Sequence, residues 1–197
     1  MSYSIVGLGN PGEEYEGTRH NTGRAILSAF QKKEELSEWE RDKKLNALIS
    51  EGKVGKEKIL LILPETFMNL SGKAVKPVVT SAKKAERLIV VHDDLDLPLG
   101  KLKISFNKGS GGHKGVESIM RAVKTKAFIR MRVGVSPATP SGKLKKPHGE
   151  KKVGDFILGA FSPSESRVFK KISGEACEAL THIVSEGHAR AASMLGQ

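Results

Sequence analysis

Ile5-Val6-Gly7-Leu8-Gly9-Asn10-Pro11-Gly12, followed a few residues on by Thr18-Arg19-His20-Asn21, decides how the rest of the chain is read. A short apolar run enters a glycine turn, and beyond the turn stand a histidine and an amide. Glycines let the backbone turn sharply and let a ligand approach it closely. Histidine is the side chain most easily poised to take a proton near neutral pH. The pattern predicts a strand over 5–8 with a hydrolytic site at its end. A helix over 21–32 follows, with apolar residues at 25, 26, 27 and 30 on the face it packs.

Strand and helix signals then interleave along the chain. Leu45–Glu51 and Ile59–Leu63 flank Gly55-Lys56 as a hairpin that Pro64 closes. Ser71–Ala82 reads as a helix weakened or kinked at Pro77. Leu88–Val91 is a buried strand whose end delivers His92-Asp93-Asp94, and Lys101–Phe106 alternates lysine with apolar residues as a half-exposed strand does. A second glycine loop, Gly109–Gly112, opens a helix through about Val123, and Met131–Val135 is another strand. Ser162-Pro163-Ser164-Glu165 has the form of a capping box with proline at the first helical position, ahead of a long helix broken or softened near Gly174 and Gly187. Residues 136–152 differ in kind: three prolines and Lys143, Lys145, Lys146, Lys151 and Lys152 predict a mobile basic loop. The expected class is α/β, a single domain with an open mixed β-sheet flanked by helices on both faces.

Composition narrows the partners. Thirty-three Lys+Arg against 22 Asp+Glu in 197 residues give a net charge of +11. That excess favours a polyanion, nucleic acid first and an anionic membrane second. No apolar run approaches the ~20 residues that span a bilayer. Cys177 stands alone, which excludes an internal disulfide and a cysteine-based zinc site. A cytoplasmic protein is expected.

Three constellations carry chemistry. Gly7-x-Gly9-x-x-Gly12 formally fits a dinucleotide-binding turn, but Glu13, Glu14 and Glu16 crowd it and no second strand follows from position 30. His20 gains weight from Asp93, because an aspartate ending a buried strand can orient an imidazole and stabilise its charged form; the alternative is an unpaired histidine at a helix start. Asn10 offers an amide that can both donate to and accept from a peptide-like ligand. The run His92-Asp93-Asp94-Leu95-Asp96 divides its side chains between two faces, so no metal is expected there. Gly109–Gly115 reads either as a phosphate-cradling nest at a helix start or as a flexible connector.

These residues together resemble the bacterial-type peptidyl-tRNA hydrolases. The matching strings, in family order, are 5–12, Tyr15, 18–21, Thr66-Phe67-Met68-Asn69-Leu70-Ser71-Gly72, His92-Asp93-Asp94-Leu95-Asp96-Leu97-Pro98, Gly111-Gly112-His113 and Phe156-Ile157-Leu158-Gly159. The resemblance implies a cofactor-free, metal-independent, monomeric enzyme that cleaves the ester between a peptide or N-blocked amino acid and tRNA. It implies His20 as the general base oriented by Asp93, Asn10 as the residue that recognises the peptide, and Asn69 and Met68 as peptide- and water-positioning residues. Tyr15 and Phe67 would line the place of the tRNA acceptor end, with His113, Lys103, Lys108 and Arg132 on the tRNA side. The chain departs from the family at Lys114, where asparagine is usual, and at Ser105, often basic. Lys114 is expected to trade a directional contact for an electrostatic one to a tRNA phosphate, and its charge to disfavour protonated His20. The alternative reading is a non-catalytic RNA-binding relative of the same fold, of the kind used in splicing.

Overall fold

The computed structural model describes residues 2–197. Seven strands form one mixed sheet in the order β2-β3-β4-β1-β5-β7-β6. They are β1 (Ser2–Gly7), β2 (Glu40–Asp42), β3 (Ala47–Val54), β4 (Glu57–Pro64), β5 (Leu88–Pro98), β6 (Leu102–Phe106) and β7 (Ile129–Ser136). The centre, β4-β1-β5-β7, is parallel, and the pairs β2-β3, β3-β4 and β6-β7 are antiparallel. Apolar residues occupy both faces of the central strands: Ile5, Ile89 and Val91 look to one side, Val6, Leu88 and Val90 to the other. A sheet buried on both faces reads as such continuous apolar runs. The first side is covered by α1 (Thr22–Lys33), α6 (Pro163–Glu186) and α7 (His188–Met194), the second by α2 (Gly72–Val75), α3 (Ala82–Ala85) and α4 (Lys114–Val123). No helix of the described residues is long and apolar enough to cross a membrane.

Most expected elements fall within a residue or two of their places, and the differences have physical causes. β5 does not stop at Val91 but runs on to Pro98, because β7 pairs with it through Asp94, so His92 and Asp93 sit on the strand itself. Of the single helix expected over 71–82 only the turn α2 forms; α3 begins at Ala82, where that helix was expected to end, and Pro77 lies between them. Proline has no N–H to continue the ladder, and the β-branched Val78-Val79-Thr80 that follow favour extended backbone. α6 passes Gly174 unbroken for 24 residues, held at its start by the reciprocal Ser162–Glu165 capping box, and ends at Gly187, whose φ of 88° lies in the left-handed region. The charged strand β2 at the sheet edge was not expected. The segment read as a loop through residue 152 gives way earlier, since α5 (Glu150–Ile157) already contains Glu150, Lys151 and Lys152 in its first turn.

Beyond α7 the chain returns to the other edge of the sheet. The Gln197 side-chain amide donates to the Leu102 carbonyl at 2.7 Å, and its oxygen accepts from the Ile104 N–H at 2.9 Å. One side chain thus makes the two hydrogen bonds that a peptide group of a neighbouring strand would make.

Candidate active site

Two glycines bring the chemistry together. A Cβ at Gly23, in the first turn of α1, would stand 2.5 Å from the Leu8 nitrogen, and one at Gly7 would lie 2.9 Å from the Gly23 carbonyl carbon. With no side chains there, the start of α1 lies directly on the end of β1. Gly7 is paired with Val91, so the carboxyl ends of two parallel strands, where α/β sheets bind ligands, lie beneath that helix start. The short helical turn Arg19–Asn21 then sets His20 against Asp93.

His20 Nδ1 lies 3.0 Å from each carboxylate oxygen of Asp93, and both side chains are buried. The carboxylate can only accept, so the proton of the neutral imidazole is on Nδ1 and the Nε2 lone pair is free. His20 borders the cleft, and its Nε2 makes no hydrogen bond among the described residues. Burial is the largest influence on the imidazole and opposes its charge. The charge and hydrogen bond of Asp93 outweigh that, Lys114 subtracts from it, and the pKa is raised above the ordinary 6.5. The expected opposition from Lys114 is therefore present but does not decide the sign. Burial likewise works against ionisation of Asp93, but His20 and His113 hold its carboxyl far below the ordinary range.

Two more imidazoles surround the same aspartate. His113 Nε2 is 2.9 Å from Asp93 Oδ1. Its Nδ1 caps α4, accepting from the backbone N–H groups of Gly115 at 3.1 Å and Val116 at 3.3 Å. His92 donates Nδ1–H to the Asp93 carbonyl at 2.7 Å, and its buried Nε2 has no partner among the described residues. Burial, then the neighbouring His113, drive the His92 pKa well below 6.5, so this ring is neutral. His20, Asp93 and His113 have the side-chain types of a metal site and their atoms lie close together. A neutral imidazole has one lone pair, however, and His113 uses its own on the helix cap, which leaves none for a metal.

On one side of His20 the framework is hydrogen-bonded throughout. The Asn21 side chain accepts from the Asn10 N–H at 2.8 Å and donates to the Asn10 carbonyl at 2.9 Å. Asn10 Oδ1 accepts from the Met68 N–H at 2.9 Å. Half of the Asn10 amide is thereby used, and only its Nδ2 donors remain for a ligand, narrower than the two-way role expected. Arg24 reaches from α1 to the Pro64 carbonyl at 2.7 Å and Glu65 at 2.8 Å, fixing the segment that carries Phe67, Met68 and Asn69. Met68 is buried, Asn69 is exposed on the turn Met68–Leu70, and Phe67, 58% exposed, meets Tyr15 edge-on with ring centres 6.4 Å apart.

On the other side is an open cleft of about 340 Å³ between the end of β5, the glycine loop and α5, with Leu95, Val153 and Ile157 in its walls. Two ion pairs border it: Lys114 Nζ to Glu150 Oε1 at 3.0 Å, and Lys146 Nζ to Asp96 Oδ1 at 2.6 Å. Lys114 is therefore directed at Glu150, whose pKa it lowers by hydrogen bond and charge. Behind the cleft, Arg132 Nε binds Asp94 Oδ2 at 2.6 Å. Antiparallel register sets Lys103 opposite Arg132 and Ser105 opposite the buried Arg130, while Lys108 is exposed in the following loop.

The structure thus joins His20, Asp93 and His113 directly, and Asn10 with Met68. It leaves Asn69, Lys103 and Lys108 as exposed side chains. Sequence reasoning gave no role to Asn21 or Arg19, although both lie inside the quoted string around His20. Arg19 holds the far arm of the molecule: its guanidinium donates to the carbonyls of Gly159 at 3.2 Å and Ala160 at 3.0 Å, and to Glu165 at 2.8 Å, with the Phe156 ring 4.4 Å away.

Comparisons with known proteins point to one family. The peptidyl-tRNA hydrolase family model matches residues 4–197. A peptidyl-tRNA hydrolase of Thermodesulfovibrio yellowstonii is 42% identical over 187 residues, covering 93% of this chain and 92% of the relative. One from Dehalococcoides mccartyi is 41% identical over 185 residues, 93% of each chain. The crystal structure of peptidyl-tRNA hydrolase from Acinetobacter baumannii superposes with a TM-score of 0.86 at 28% identity, over 98% of this chain and 94% of that one. With the family model matched from residue 4 to residue 197 and relatives more than 40% identical over nearly their whole length, the chain belongs to the peptidyl-tRNA hydrolase family.

Proposed function

We propose that this protein hydrolyses the ester joining a peptide, or an N-blocked amino acid, to the 3′ ribose of tRNA, with His20 as general base. The observation that carries the reading is the buried His20–Asp93 pair, which commits the imidazole proton to Nδ1 and leaves Nε2 as an acceptor beside the cleft. A water takes its place against Nε2 and attacks the ester carbonyl carbon as Nε2 removes its proton. Asp93 stabilises the imidazolium that results. The tetrahedral intermediate collapses by breaking the bond to the ribose oxygen, which takes the proton back from His20. An activated water and aimed amide donors suffice for an ester of this kind without a metal or a covalent intermediate.

The surrounding residues support the same substrate. The free Nδ2 of Asn10 is a donor for a carbonyl oxygen of the peptide, and Met68 is held against Asn10 by its N–H. Asn69 is placed on the adjoining turn to position peptide or water. Phe67 and Tyr15 offer aromatic faces on which bases of an acceptor end can stack. Lys103, Lys108 and Arg132 supply positive charge for phosphates, and the net charge of +11 favours that polyanion. Such an enzyme would act on tRNA as a monomer in the cytoplasm.

The test is release of peptide from N-blocked aminoacyl-tRNA. His20→Ala is expected to lose about 10²–10⁴-fold in kcat with tRNA affinity and folding retained, because it removes the base and no phosphate contact. Hydrolysis by that variant near the wild-type rate refutes the assignment.

A further inference from the structure

His113 was expected among the tRNA contacts, but its side chain is only 9% exposed and both ring nitrogens are engaged inside the protein. We propose that His113 is a positioning residue: locked in one tautomer by the cap of α4, it pins the Asp93 carboxylate and draws part of its charge away from His20. The inference rests on the reading of His20 as the base.

The first step is the tautomer. Two backbone N–H groups, of Gly115 and Val116, point at Nδ1 of His113, so that atom carries the lone pair and Nε2 carries the proton. The end of a helix has unpartnered N–H groups whatever the sequence. Here they choose which way a histidine donates, and the donation goes to Asp93 Oδ1 at 2.9 Å.

The second step is the sharing of the carboxylate. His20 Nδ1 sits 3.0 Å from both Asp93 oxygens, one of which also receives His113. Every donor to a carboxylate stabilises its ionised form and lessens its pull on other protons. A buried imidazole–aspartate pair without such competition would hold the imidazolium and leave little free base at neutral pH. With His113 in place, Asp93 still orients His20 but grips its proton less tightly.

The third step is what fixes His113 itself. His92 packs edge-on against it, ring centres 4.7 Å apart, and is tied to the Asp93 carbonyl. His20 and His113 stand 5.2 Å apart with rings tilted by 37°. The charged and titratable groups facing this cluster are His92, Asp93 and Asp94 from β5, Arg130 and Arg132 from β7, and Lys114 at the start of α4, with Glu150 across the cleft from α5. Among the described residues none of them donates to the Asp93 carboxylate in place of His113.

The experiment is nitrogen NMR of the imidazoles in the full-length protein without substrate, in wild type and in His113→Asn. Asparagine still caps a helix but is too short to reach Asp93. In wild type at neutral pH, His113 is expected to carry its proton on Nε2 alone, an outcome that needs no variant. In His113→Asn the titration midpoint of His20 is expected to rise by about half a pH unit or more. The acid limb of kcat/KM for peptide release moves with it, while KM stays near wild type. A proton on Nδ1 of wild-type His113, a His20 midpoint that stays or falls, or a raised KM with an unmoved pH profile each overturn the proposal. The titration uses no tRNA, so a wild-type protein that releases no peptide would sink the hydrolase reading and leave this result standing.

Discussion

His20 divides the site into two regions that are held in different ways. Toward Asn10 and Met68 the contacts are buried or half-buried and run from side chain to backbone: Asn21 to the backbone N–H and carbonyl of Asn10, Asn10 to Met68, Arg24 to Pro64. Across the cleft to the start of α5 the contacts are two solvent-exposed ion pairs, Lys114–Glu150 and Lys146–Asp96, while Arg19 holds the far end of that helix. Buried hydrogen bonds to backbone fix a geometry and are insensitive to salt, and a broken one leaves an unsatisfied group in the interior. Exposed ion pairs hold long, mobile side chains and are screened by salt. The first region is therefore set before substrate arrives, and the second is the more easily loosened.

The largest test of that contrast is Asn21→Ala. It strips both partners from the Asn10 backbone without touching His20 or the cleft. Peptide release is expected to fall about 10–10²-fold through misplacement of Asn10, with kcat affected more than tRNA affinity. The loss of stability is about 1–3 kcal/mol for each polar group left buried and unpaired. Wild-type kinetics in Asn21→Ala would show that the clamp is not what positions Asn10.

A smaller effect comes from pH, and it too belongs to the buried side. The His92 pKa is lowered in the folded chain, so its contribution to stability is complete above the unfolded value of 6.5 and is lost as pH falls toward the folded value. Asp93 adds to the loss further down, below its unfolded value of 3.8. His20, with a raised pKa, runs the other way: its contribution is complete below 6.5 and fades as pH rises through the folded value. Tm is expected to fall between pH 6.5 and 5, and His92→Gln, which keeps a donor but cannot titrate, flattens that slope. In a chain of this size about 1 kcal/mol corresponds to about 2–4 °C. An unchanged slope in His92→Gln would place the acid sensitivity elsewhere.

The smallest effect is expected from the cleft. Lys114→Asn combined with Lys146→Ala should leave Tm nearly unchanged. Amide exchange should quicken in α5 alone, and high salt should have the same effect on wild type. Faster exchange at Asn10 and Met68 as well would show that the two regions are one mechanical unit.

The same division explains what could be read in advance. The His20–Asp93 pair was legible because each partner sits in a short string whose local structure is strongly marked, one after a glycine turn and one on an apolar strand. The length of β5 was not, because His92-Asp93-Asp94-Leu95-Asp96 has the composition of a loop and only its pairing with β7 keeps it extended. Nor was the intact helix at Gly174: more than ten helical residues on either side carry it through. The Lys114–Glu150 pair joins residues 36 apart and exists only where α5 is docked, and the role of His113 turns on which nitrogen a helix end selects. Both depend on tertiary placement, which periodicity does not encode.

Sheet edges bear on how such a protein behaves when concentrated. An open sheet presents outward N–H and C=O groups at each end, a template on which a second chain can add a strand and begin to aggregate. Here one edge is β2, three residues long and charged throughout as Glu40-Arg41-Asp42. The other is β6, where the Gln197 amide already occupies the Leu102 carbonyl and the Ile104 N–H. The Gln197 side chain thus covers the groups on which a strand could add, and each flank of the sheet is blunted against strand addition.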